Sequence, residues 1–229
     1  FMIKGIIFDF NGTLFFDTEK HEKAWGKYAE QILGRSLTKE ENNSIMGRNN
    51  KLILEFLLGR TPSAEEERTM GGEKEEMYRK MCREESGGCR LADGAENFLD
   101  KLAENNIPIA IATSSDVGNV NFYFEMFGID RWFSRERVIF DDGTIDGKPA
   151  PDIYLKAAER LNLSPKECAV YEDAVSGIAA ARNAKIGKII AVASANKPEI
   201  LAAEKGVDRV ITDYTREWDK VSIDFLKVM

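Results

Sequence analysis

Residues 4–14 read Lys4-Gly-Ile-Ile-Phe-Asp-Phe-Asn-Gly-Thr-Leu14. Ile6, Ile7 and Phe8 form an unbroken apolar run of β-forming residues, the pattern of a strand buried on both faces of a parallel sheet. The run stops at Asp9, and Asn11 with Gly12 supplies turn residues directly behind it. A carboxylate is thereby carried to the carboxyl end of a strand, the edge at which open α/β sheets bind ligands. Taken alone, an aspartate in that position is as well explained as a turn cap. The rest of the chain decides otherwise.

Beyond this stretch the pattern changes, and from Asp17 to about Gly88 the periodicity is helical with no strand. His21, Ala24, Trp25, Tyr28 and Ile32 share one face of a first helix at three- and four-residue steps. Thr38 with Glu41, and Ser63 with Glu66, have capping-box spacing at the starts of further helices. Leu52, Ile53, Phe56 and Leu57 mark an apolar face between them. The helix after Ser63 is highly charged and is expected to be largely solvated. From Leu91 onward strands and helices alternate, the pattern of βαβ units joined into a parallel sheet. Strands are predicted over 107–112, 138–140, 168–171, 188–192 and 210–211, with helices over 117–127 and 153–161. Gly177, Ala179, Ala180, Ala181 and Ala184 suit the helix after Asp173 to lying close on the sheet, and Trp132 and Phe133 read as core. The expected organisation is a core of residues 1–16 and 90–229 with a helical domain, 17–89, inserted in it.

With 229 residues, 43% of them hydrophobic, the chain can bury a substantial core. Thirty-two Lys and Arg against 39 Asp and Glu leave a net charge of -7. That balance disfavours nonspecific binding to nucleic acid or membrane and confines any basic pocket to a small area. No run approaches the ~18 apolar residues of a spanning helix, and the first eight residues are too short and wrongly flanked for a secretion signal. The expectation is a cytoplasmic protein, monomeric or weakly homo-oligomeric, with a small-molecule partner. Cys82, Cys89 and Cys168 show no paired metal spacing and are read as reduced thiols.

Three separated strand ends are acidic or hydroxylic: Asp9, then Thr113 with Ser114, then Glu172 with Asp173. Lys148 stands just ahead of a helix start. Parallel strands put these ends on one edge. There they form an acidic group able to hold a hard divalent cation through oxygen ligands, Mg²⁺ being the natural choice. The hydroxyl and ammonium donors beside it suit a phosphoryl group.

Asp9-Phe10-Asn11-Gly12-Thr13, Thr113-Ser114, Lys148-Pro149-Ala150-Pro151-Asp152 and Glu172-Asp173 resemble, in order and spacing, the four motifs of the haloacid dehalogenase superfamily. The helical insertion after the first motif resembles the cap of its β-phosphoglucomutase and phosphoglycolate-phosphatase-like branch. The resemblance implies a Rossmann-like parallel sheet core with an inserted all-helical cap domain that closes over the carboxyl edge. It also implies a Mg²⁺-dependent phosphatase acting on a small phosphorylated metabolite through an aspartyl phosphate on Asp9. In that scheme Asp9, the Asn11 backbone carbonyl, Glu172 and Asp173 hold the ion, and Lys148 adds a second positive charge. Gly12 and Thr113 or Ser114 donate hydrogen bonds to the phosphoryl oxygens.

Asn11 departs from the family pattern, in which an aspartate at this position protonates the leaving oxygen and later activates water. General acid–base help is worth about 10² to 10⁴ in rate, so a site with Asn11 is expected to be slowed and not abolished. An impaired paralogue that only binds a phosphorylated ligand stays open, as does an Asp-to-Asn change made deliberately, or partial deamidation at Asn11-Gly12. His21 matches a histidine of the β-phosphoglucomutase branch and raises a sugar-phosphate mutase as an alternative. Gly47 keeps the glycine of that branch's substrate loop without its flanking lysine and arginine, and Arg48 is a candidate for a substrate's distal anion. A dehalogenase is disfavoured by the acid pair Glu172-Asp173, which those relatives lack.

Overall fold

The computed structural model, which describes residues 2–45, 50–85 and 88–226, turns the apolar run after Lys4 into strand β1 (Gly5–Phe8), buried along its whole length. The other strands come from far along the chain: β2 (Ile109–Ala112), β3 (Val138–Ile139), β4 (Cys168–Glu172), β5 (Lys188–Val192) and β6 (Arg209–Ile211). All pair in parallel, in the order β3-β2-β1-β4-β5-β6. In this order the chain's path reverses at β1, and the crevice outside the strand ends at such a switch point is where doubly wound sheets bind ligands.

The chain divides into two compact units, Phe1–Phe16 with Arg90–Met229, and Asp17–Cys89. The second is helical: α1 (Thr18–Leu33), α2 (Lys39–Ile45), α3 (Asn50–Leu58) and α4 (Ala64–Arg83). The first holds the sheet with α5 (Ala95–Glu104), α6 (Val117–Phe127), α7 (Asp152–Arg160), α8 (Val175–Asn183), α9 (Pro198–Ala202) and α10 (Glu217–Leu226). Among the described residues no helix is long and apolar enough to cross a membrane.

Successive residues of β1 serve opposite faces of the sheet. Ile7 joins Ala110, Val170, Ile153, Ala157 and Ile178 in an aliphatic cluster under α7 and α8. Phe8 faces an aromatic one: it stacks on Tyr171 at 5.0 Å and meets Phe98 and Phe133 edge-on at 6.1 and 6.3 Å. In α5 the residues Ala95, Phe98, Leu99 and Leu102, spaced three and four apart, are all buried. In the helical unit α1 buries Ala24, Trp25, Tyr28 and Ala29. Thr38 and Glu41 exchange the two hydrogen bonds of a capping box, as do Ser63 and Glu66.

Several expectations are corrected. Strand β2 starts at Ile109 because Pro108 has no N–H for the ladder, although its carbonyl still accepts from the Ile6 N–H at 2.9 Å. In α3 the buried residues are Ile53, Leu54 and Leu57, and the neighbouring stripe of Leu52 and Phe56 faces outward. Phe133 is core, whereas Trp132 is half-buried, with Nε1 donating to Asp100 and the Arg131 guanidinium 3.8 Å over its ring. Charged α4 is not simply solvated, since it buries Lys74 and Glu75.

Phe8 anchors β1 through its ring contacts, so Phe8→Ala is expected to destabilise the chain by about 3–5 kcal/mol. Equilibrium urea unfolding checks this as a lowered midpoint at unchanged slope.

Candidate active site

The register of the sheet brings distant residues to one edge. Phe8 pairs with Ile111 on one side and Tyr171 on the other, so Asp9 comes level with Ala112 and Glu172, and Thr113 follows one residue beyond. The Asp9 N–H extends the ladder by donating to the Tyr171 carbonyl at 3.0 Å. A tight loop follows, in which the Phe10 carbonyl accepts from the N–H groups of Thr13, Leu14 and Phe15. Gly12 is required there twice over. Its φ of +71° lies in the left-handed region, and a Cβ on it would fall 2.1 Å from Asp173 Oδ2.

Lys148 Nζ donates to Asp9 Oδ1 and to Glu172 Oε1, each at 2.7 Å, and all three side chains are less than one-tenth exposed. Asp9, Glu172 and Asp173 each offer an oxygen within 4.8 Å of the others. Burial pushes the Asp9 carboxyl up to about 7, with Lys148 pulling it down and Glu172 adding to the rise. Asp173 is raised well above the carboxylate range by burial and by the charges of Glu172 and Asp9. Lys148 is held protonated by the same two carboxylates in spite of its burial. One ammonium against three carboxylates leaves two negative charges when all are ionised, in a place where uncompensated charge is costly. A divalent cation with a preference for oxygen fits both the donor set and the deficit.

Glu172 is fixed at both ends, because Oε2 accepts from the Ala174 N–H at 2.9 Å. Gly177 makes room for it, since a Cβ there would lie 1.5 Å from Glu172 Oε1. This glycine therefore clears space for a site side chain, a more specific task than close helix packing. Asp173 accepts from Thr13 Oγ1 at 3.2 Å.

Thr113 is buried, and its Oγ1 accepts the Ser115 N–H at 3.2 Å, which leaves its own proton for donation. Ser114 is exposed beside it. Asn11 Oδ1 accepts from Ser115 Oγ at 2.7 Å and from the Tyr123 hydroxyl at 2.9 Å. Sequence reasoning connected neither hydroxyl with Asn11. Ser115 was legible as a third hydroxyl at the end of β2, but Tyr123 carried no signal, being one aromatic among several on α6.

His21 belongs to the helical unit, where its ring stacks on Tyr78 at 3.9 Å. Lys74 Nζ lies 2.8 Å from His21 Nδ1, and Nε2 lies 3.3 Å from Asp17 Oδ2. Lys74 also pairs with Glu75 at 2.9 Å. Burial opposes the charge on Glu75, but Lys74, His21 and the Asn50 amide together carry its carboxyl down to about 2. Gly47 and Arg48 lie outside the described residues.

The sequence profile of the haloacid dehalogenase-like hydrolases matches residues 3–185, and the chain belongs to that family. Among solved structures it is similar to a family IA, variant 3 hydrolase of Entamoeba histolytica HM-1:IMSS, with 38% identity, TM-score 0.91, and 98% of this chain and 100% of that one covered. It is 34% identical to the beta-phosphoglucomutase of Bacillus subtilis over 188 residues, 80% of each chain. To the phosphorylated carbohydrates phosphatase of Thermotoga maritima it is 28% identical over 195 residues, 83% of this chain and 85% of that one. It spans about half the length of the mycobacterial beta-phosphoglucomutases it matches, 55% of the one from Mycobacterium bovis at 31% identity over 148 residues, 63% of this chain.

Gly177→Ala offers a test of how the site is built. It favours the helix, so circular dichroism is expected to be unchanged, yet it displaces Glu172 and with it Lys148. Calorimetric Mg²⁺ affinity is expected to fall by about 10- to 100-fold.

Proposed function

We propose that the chain is a Mg²⁺-dependent phosphatase acting on a small phosphorylated metabolite of the sugar-phosphate class, through a covalent phosphoryl group on Asp9. The observation that carries this is the buried contact of Lys148 with both Asp9 and Glu172, next to Asp173. Asp9, Asp173 and the Asn11 backbone carbonyl are assigned to the ion. Glu172, whose two oxygens already accept hydrogen bonds, orients Lys148 and adds negative charge to the cation site. When bound, the ion supplies positive charge between a carboxylate and a phosphate dianion that otherwise repel.

Asp9 is the nucleophile, held by the sheet ladder on its N–H and by Lys148 on Oδ1. Lys148 keeps its proton and counters charge on the transferred group. Thr113 and the backbone N–H groups of the loop at Gly12 are assigned to the phosphoryl oxygens. Asn11 cannot give up a proton, so the departing oxygen leaves without general acid help. The similarity to a phosphatase of phosphorylated carbohydrates supports the substrate class.

A sugar-phosphate mutase is the second reading, favoured by the 34% identity to a beta-phosphoglucomutase and by His21 with its Lys74 partner. The two are separated by product, phosphate in one case and an isomerised sugar phosphate in the other.

A panel of sugar phosphates with Mg²⁺, run on the protein and on Asn11→Asp, tests the proposal. Slow phosphate release is expected, raised about 100-fold by the substitution. Isomerisation without phosphate release would favour the mutase, and no turnover by either protein would refute both.

A further inference from the structure

None of the four motifs reaches past Asp173, but a segment near the far end of the chain touches the loop behind Asp9. Between β6 and α10 the backbone passes through Tyr214, which is 1% exposed. Its hydroxyl donates to the Thr13 carbonyl at 3.3 Å, across 201 positions of sequence. Thr13 is fully buried, and its own Oγ1 donates to Asp173 Oδ1 at 3.2 Å. One residue thus links the C-terminal segment, the loop after β1 and the acid pair after β4.

Tyr214 is firmly seated. Its N–H donates to the Asp93 carbonyl at 2.8 Å, and its carbonyl accepts from the Glu217 N–H at 3.0 Å. The ring stacks on Phe98 at 5.7 Å and 24°, and lies 5.7 Å from Tyr171 and 6.4 Å from Phe8, the residues just before Glu172 and Asp9. Glu217, buried at the start of α10, accepts from the Tyr171 hydroxyl at 2.5 Å and from Arg209 at 2.6 Å. Gly94 lets this turn come close, since a Cβ there would lie 2.5 Å from the Thr215 nitrogen. A buried carbonyl left without a donor is costly, so the loop is most stable where Thr13 meets the Tyr214 hydroxyl. Because Thr13 is bonded at both its carbonyl and its side chain, moving one moves the hydroxyl on Asp173.

We propose that Tyr214 is a positioning residue for the site. Through the Thr13 carbonyl it fixes the loop that follows Asp9, and through Thr13 Oγ1 it fixes the direction of Asp173. It acts by way of Thr13 and not by contact with the reacting atoms. This rests on the phosphatase reading above for the roles of Asp9 and Asp173, and it extends the site to the turn between β6 and α10.

Tyr214→Phe tests this, because it keeps the ring among Phe98, Tyr171 and Phe8 and removes only the hydroxyl. Native-state hydrogen exchange without Mg²⁺ reads the loop itself. The N–H groups of Thr13, Leu14 and Phe15, which donate to the Phe10 carbonyl, are expected to exchange about tenfold faster while those of β5 keep their rates. Calorimetric Mg²⁺ affinity is expected to fall about tenfold, and kcat on a sugar phosphate to fall by a similar factor with KM little changed. In Thr13→Val, which lacks the hydroxyl on Asp173, adding Tyr214→Phe is expected to change Mg²⁺ affinity by less than about twofold. Unchanged loop exchange, equal acceleration in the loop and in β5, or losses of affinity that add in the double variant would each overturn the proposal. Failure of the wild type to release phosphate from any sugar phosphate would instead refute the phosphatase reading, and the exchange rates would still decide the role of Tyr214.

Discussion

A single ammonium, Lys148 Nζ, reaches both Asp9 and Glu172 at 2.7 Å in nearly complete burial. Burying two carboxylates, Asp9 and Glu172, with a third, half-buried Asp173, beside them is unfavourable unless opposite charge is built in. The sheet makes the arrangement obligatory, because Phe8 in register with Tyr171 puts Asp9 beside Glu172 whatever their charges prefer. Lys148 meets part of the demand, and the remainder is the physical basis for a divalent cation. Space around the cluster is equally constrained, with Gly12 under Asp173 and Gly177 under Glu172. The site is thus a product of ladder register, charge balance and two missing Cβ atoms.

Asn11 is built in with the same care. Its oxygen is held from two elements, one of which also buries its ring against Phe10. The helical unit carries a polar chain of its own, Asp17 to His21 to Lys74 to Glu75 to Asn50. Each member satisfies the next, as buried polar groups must.

The fold was legible because β1, β2 and β4 are continuous apolar runs ending at chemically distinct residues, so strand direction and site position were read together. Asp9, Lys148, Glu172 and Asp173, which the fold brings together, stood out in the sequence because their spacing matches an ordered set of motifs. Tyr123 was not, since nothing local separates it from Phe122 or Phe124; only tertiary packing turns its hydroxyl to Asn11. Lys74 and Glu75 were hidden for a related reason. Charged residues on a charged helix look solvated until the histidine and aromatic rings that bury them are known. Trp132 erred the other way, as an indole whose N–H finds a surface carboxylate and need not be core.

The central claim is that the buried carboxylate at the end of β1 takes the phosphoryl group. Acid quenching of the protein during turnover of a sugar phosphate with Mg²⁺, followed by peptide mass mapping, measures this directly. The account predicts a phosphoryl group on Asp9 that is absent from Asp9→Asn. Phosphate release with no such adduct, or an adduct on another residue, would contradict it.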